Sequence, residues 1–142
     1  MSQITEINVT ADFAFLTEMD GERDEQRFTL PAAFSPVTGG FILCYDETLD
    51  DTVTHVTVTA VGDRVEIARR GDCAVTFLLT PGTPRPCTYE TPYGAIPMTV
   101  KNAKVENNLT ADGGTLCADY TLDLGGGSSL HTMTIKIRKG NQ

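Results

Sequence analysis

The chain has 142 residues, 40% of them hydrophobic, enough for one domain with a real core. Nineteen acidic residues against 11 basic ones give a net charge of −8, which repels phosphate backbones and argues against nucleic acid and anionic membranes as partners. No apolar run approaches the ~20 residues of a membrane span, and residues 1–6 carry neither the basic nor the apolar part of a secretion signal, so a cytoplasmic protein is expected.

Thr5, Ile7, Val9, Ala11, Phe13 and Phe15 alternate with Glu6, Asn8, Thr10, Asp12 and Ala14, the period-two pattern of a long first strand. Met19-Asp20-Gly21-Glu22 turns the chain into a second strand over residues 26–30. Residues 31–40, rich in Pro, Ser and Gly, are expected to form a looser connection with one helical turn at residues 31–34. Strands follow at residues 41–45 and 52–60, the latter a Thr/Val alternation suited to a pleated surface. Gly62-Asp63 and Gly71-Asp72 lead into strands at residues 65–70 and 73–80. Pro81, Pro84 and Pro86 cannot donate to a ladder, so residues 81–86 are expected to be a loop.

Strands at residues 87–91 and 96–105 precede the clearest pattern in the chain. There Leu116, Ala118, Tyr120 and Leu122 alternate with Thr115, Cys117, Asp119 and Thr121. His131, Met133, Ile135 and Ile137 then alternate with Thr132, Thr134, Lys136 and Arg138. Asp112-Gly113-Gly114, Gly125-Gly126-Gly127-Ser128 and Gly140 punctuate these runs, as turns between antiparallel strands do. No segment has a 3.6-residue apolar period. Nine or ten strands joined by hairpins predict an all-β protein. A long first strand, able to pair at both ends of a closure, favours one antiparallel meander barrel over a sandwich, with residues 1–142 as a single domain.

Five spaced motifs resemble the YwiB-like family of small bacterial proteins of unknown function. They are Leu43-x-Tyr45-x-Glu47, Val65-x-Ile67-x-Arg69-x-Gly71, Tyr89-x-Thr91-x-Tyr93-Gly94, Gly114-x-Leu116-x-x-x-Tyr120-x-Leu122 and His131-Thr132-Met133-Thr134-Ile135. They span about two-thirds of the chain in the family's order, and residues 1–40 match only in general strand character. The resemblance implies a calycin-like, lipocalin-type barrel and brings no established activity with it.

The most pointed candidates for chemistry are Tyr45, Glu47 and Arg69. Alternation puts Tyr45 and Glu47 on the face of Phe41 and Leu43, and Arg69 on the face of Val65 and Ile67. If those faces point inward, a carboxylate and a guanidinium meet at a barrel mouth, where a desolvated charge needs a partner. Such a pair either closes the barrel end or grips a ligand's carboxylate or phosphate, with Tyr45 and Glu47 orienting the guanidinium. Tyr89, Tyr93, Met98, Tyr120 and Met133 are candidates to line an apolar pocket or simply to fill the core, and His131 is placed to titrate at the rim.

His55, among threonines, is expected to face solvent. Cys44, Cys73, Cys87 and Cys117 form no C-x-x-C pair, so reduced thiols and no metal site are expected. The acidic stretches at residues 18–22 and 46–51 lack calcium-loop spacing, and the Gly125-Gly126-Gly127-Ser128 turn lacks the lysine of a phosphate loop. The leading expectation is a non-enzymatic barrel that binds a small, partly apolar molecule, anionic ones included, without a cofactor. The rivals are a small enzyme using Glu47 and Arg69 with Tyr45 or His131 as proton donor, and an interaction module with a filled core. Nothing in the sequence speaks to oligomeric state.

Overall fold

The computed structural model describes residues 7–139. Its ten strands are β1 (Ile7–Met19), β2 (Glu22–Val37), β3 (Gly40–Leu49), β4 (Thr52–Val61), β5 (Arg64–Arg70), β6 (Ala74–Leu79), β7 (Arg85–Thr91), β8 (Gly94–Thr110), β9 (Gly113–Asp123) and β10 (Ser128–Lys139). Each pairs antiparallel with its sequence neighbours, and β1 also pairs with β10, so the meander closes into one barrel. Thr5, Glu6 and Gly140, assigned above to the first strand and the last turn, lie outside the described residues.

Period two decides which side chains fill the barrel. Val9, Ala11 and Phe13 of β1 stand opposite Lys139, Ile137 and Ile135 of β10 and opposite Ala32, Leu30 and Phe28 of β2. Leu43 and Tyr45 likewise oppose Val58 and Val56, which in turn oppose Ile67 and Arg69. Slipping any of these pairings by one residue would turn every apolar side chain outward, so the burial pattern pins the register. In β8 the pattern changes phase. Met98 and Val100 face inward before the register shift at Lys101/Lys104, and Ala103 is the next buried residue after it. Asn102 holds φ 54° there, the extra-residue geometry of a bulge.

Two seams of the barrel are thin. β2 and β3 pair only from Ala33–Cys44 to Val37–Gly40. β6 and β7 share one ladder pair, Ala74–Glu90.

These seams explain where the sequence expectations fail. Residues 31–40 are neither a loose connection nor a helical turn: β2 runs through them to Val37, with Ala32 and Phe34 buried on the inner face. Pro31 falls on a stretch of β2 that has a neighbour on one side only, the edge situation in which proline is tolerated. Arg85 and Pro86 belong to β7 rather than to a loop, and β7 also lacks a full partner on its β6 side. No helix occurs among the described residues, and none is long and apolar enough to cross a membrane.

All four cysteines are free, with Cys44 exposed and Cys73, Cys87 and Cys117 half-buried. Denaturing alkylation without reductant is therefore expected to label four thiols per chain by mass, and a lower count would contradict the structure.

Candidate functional site

At the end of the barrel where β1, β3, β5, β9 and β10 carry polar residues on their inner faces, the interior is not filled. A pocket of about 280 Å³ opens there. Phe15, Ile67, Phe77, Tyr120, Leu122 and Met133 supply its apolar wall. Thr17, Gln26, Tyr45, Glu47, Arg69 and His131 supply polar atoms toward the rim. The strand register brings them together: Phe15 lies opposite both Gln26 and Met133, Tyr120 opposite His131, and His131 opposite Thr17.

Arg69 and Glu47 form the expected pair. Nη2 of Arg69 donates to Oε1 of Glu47 in a short contact, while Nη1 stands 3.5 Å from Oε2. The two side chains keep 32% and 22% of their surface exposed, so the pair is largely but not wholly desolvated. Burial alone would make Arg69 less basic, but the hydrogen bond and charge of Glu47 outweigh it and leave the guanidinium firmly protonated. One arm of the guanidinium fork is thus committed to Glu47 and the other is held loosely, with donors to spare.

Tyr45 is buried, its ring 4.4 Å from that of Phe13. Burial first, and then the Glu47 carboxylate, push its phenol well above the usual range. Burial pushes the Tyr120 phenol up to about 12. Both rings therefore stay neutral hydrogen-bonding groups at physiological pH. Tyr120 stacks on His131 with ring centroids 5.1 Å apart and meets Phe77 at 5.9 Å.

The imidazole of His131 is held through both nitrogens. Nε2 lies 2.8 Å from the Ser129 hydroxyl and Nδ1 lies 3.4 Å from that of Thr17. Burial lowers its pKa below 6.5, so it is neutral at pH 7. Because the folded-state value lies below the unfolded one, this site favours folding above the unfolded pKa, and that contribution is lost as pH falls below about 6.5. His131→Gln is expected to flatten the fall in urea-unfolding stability between about pH 7 and pH 5; an unchanged slope would mean that His131 does not carry it.

Among the residues expected at the site, Tyr45, Glu47, Arg69, Tyr120, His131 and Met133 meet around this pocket. Three do not line it. Tyr93 sits in the β7–β8 turn and is 99% exposed, since a residue at a hairpin tip has no sheet to face. Met98 is buried opposite Cys87 in the wall, away from the polar end. Tyr89 is half-buried on β7, where a hydrogen bond to Cys73 and then burial raise its pKa, while Arg69 pulls it down. Sequence reading passed over Phe15, Gln26 and Phe77. Phe15 and Phe77 carried only an inward-strand signal, and Gln26 becomes a lining residue solely through its register opposite Phe15. His55 is exposed, as expected, and its Nδ1 lies 2.6 Å from Asp46. No group of residues able to hold a metal ion occurs among the described residues.

A family model described as a domain of unknown function (DUF1934) matches residues 15–137. The chain belongs to that family. Its match extends the motif resemblance toward the N-terminus, to cover β1 from Phe15 and all of β2. The DUF1934 barrel is similar to the crystal structure of the ywiB protein from Bacillus subtilis, with a TM-score of 0.85 over 96% of this chain and 94% of that one. Identity is 20%, so the likeness establishes the fold and not the contents of the pocket. No curated protein matches the chain.

Proposed function

We propose that this DUF1934 barrel is a cytoplasmic, non-enzymatic binding protein of calycin-like, lipocalin-type character. It takes a small, partly apolar molecule into the mouth pocket. The observation that carries the reading is the Arg69 guanidinium, one-third exposed in a pocket whose other walls are largely aromatic and aliphatic. An apolar body fits against Phe15, Phe77, Tyr120 and Met133, while a polar or anionic head takes the donors of Arg69 that Glu47 leaves available. Tyr45 and Tyr120, held neutral by burial, add hydrogen bonds without adding charge. A pocket of about 280 Å³ limits the guest to a small metabolite or to the head of a longer one.

Native mass spectrometry of protein purified from its own cells tests this. A non-covalent adduct is expected on the wild type and on Tyr93→Ser, whose exposed tip is remote from the pocket, and is expected to be lost on Leu122→Trp, which fills it. An apo mass for the wild type, with no chemical-shift change at the Arg69 side chain on titration with small carboxylic acids and phosphate monoesters, would sink the reading.

A further inference from the structure

β2 and β3 diverge after the pair Ala33–Cys44. Beyond that point residues 22–32 of β2 are paired to β1 on one side and to no described strand on the other. Residues 45–49 of β3 are likewise paired only to β4. Two strand edges therefore face one another across a cleft in the barrel wall. A hollow of about 580 Å³ marks its inner corner, where Leu30, Ala32, Cys44, Tyr45, Asp46 and Val56 come together. Free strand edges present rows of N–H and C=O groups, and a protein that keeps such edges long is either protecting them or using them.

The charge distribution says what fits. Residues 18–27 and 46–51, on β2, β3 and their turns together with the end of β1, hold nine of the 19 acidic residues and two of the 11 basic ones. They account for −7 of the net −8. Both basic residues are already engaged locally, Arg23 with Glu18 and Arg27 with Glu25. Among the described residues Asp20, Glu22, Asp24, Asp50 and Asp51 have no salt-bridge partner. A second copy of this chain would bring the same negative lips against its own and be repelled, whereas a basic segment would be drawn in.

We propose that the β2–β3 cleft accepts an extended, basic peptide segment of a partner protein, which adds as a strand between the two free edges. Backbone hydrogen bonds to β2 and β3 supply affinity, and alternation supplies selectivity. Side chains on one face of the added strand would cover Phe28, Leu30 and Tyr45, which are apolar and face the interior. Those on the other face would lie beside Glu25 and Asp46, which are exposed and would exchange their contacts with Arg27 and His55 for a lysine or arginine of the peptide. Recognition is therefore of alternating apolar and Lys/Arg residues. The hollow shares only Tyr45 with the mouth pocket, and the two edges beyond it carry Gln26 and Glu47, which line that pocket as well.

The test uses the full chain and a seven-residue peptide alternating lysine with valine. Its control is the same peptide N-methylated at alternate residues, which keeps the charge but removes the donors facing one edge and puts methyl groups where that edge must approach. At low ionic strength the unmodified peptide is expected to slow amide exchange about tenfold or more at residues 26–32 and 45–48, and the methylated peptide to leave those amides unchanged. Three results would overturn the proposal: equal binding of both peptides without protection of these amides, which is charge attraction alone; no binding of either; or protection of residues 26–32 in the free protein that depends on its concentration, which would identify the occupant as a second copy.

Discussion

Arg69→Met is expected to lower the unfolding free energy by about 2–3 kcal/mol, and adding Glu47→Leu to the same chain is expected to restore most of it. Breaking a fully desolvated ion pair costs about 3–5 kcal/mol because one charge is left buried and unpaired, whereas an exposed pair contributes under about 1 kcal/mol. With 32% and 22% of their side-chain surface exposed, Arg69 and Glu47 fall between these limits. The single change strands the Glu47 carboxylate beside Tyr45, whose buried phenol stays neutral and offers no compensating charge. The double change removes both charges and leaves aliphatic side chains against Ile67 and Phe77, which pack without penalty. A double-mutant cycle by urea unfolding measures the coupling directly. Additivity within about 0.5 kcal/mol would mean that the two groups do not interact in solution.

Phe34→Ala should be costlier still, about 3–5 kcal/mol. Phe34 is 2% exposed, faces Leu43 and Ile7 across two ladders, and stacks on Phe41 with ring centroids 4.9 Å apart. Truncating it opens a void that the stiff strands around it cannot collapse into. The experiment also separates two conformations of residues 31–34. In an exposed helical turn the same change would cost under about 0.5 kcal/mol, so a small effect would overturn the strand assignment and a large one would place Phe34 in the core.

Why the helical turn was expected at all is instructive. Pro31, Pro36, Gly39 and Gly40 are the residue types that end regular structure, and nothing local distinguishes a proline that breaks a strand from one that sits on a free edge. That distinction depends on β3 leaving β2 at Ala33, a relation between segments rather than within one. Arg85 and Pro86 were misplaced for the same reason at β6–β7. The alternation in β1 and β10 was legible because both ladders there are complete, and in β9 because the bulge puts its extra residue on β8, so inner and outer positions of all three keep one period from end to end. The Glu47–Arg69 pair was legible too, since each residue extends an inward-facing apolar series by one step. Tyr93 and Met98 were grouped with the pocket on residue type alone. Their separation from it depends on how far along the barrel axis β7 and β8 place them, which alternation does not encode.

The single pair joining β6 to β7 separates the shape of this protein from the order in which its chain is threaded. Val9 and Lys139 already stand side by side across β1 and β10, so a short linker could join the start of β1 to the end of β10 there. A circular permutant with new termini between Thr80 and Thr83 would cut the link at the place where the fewest ladder bonds depend on it. The same ring would then be traced from β7 around to β6, with every extensive ladder intact.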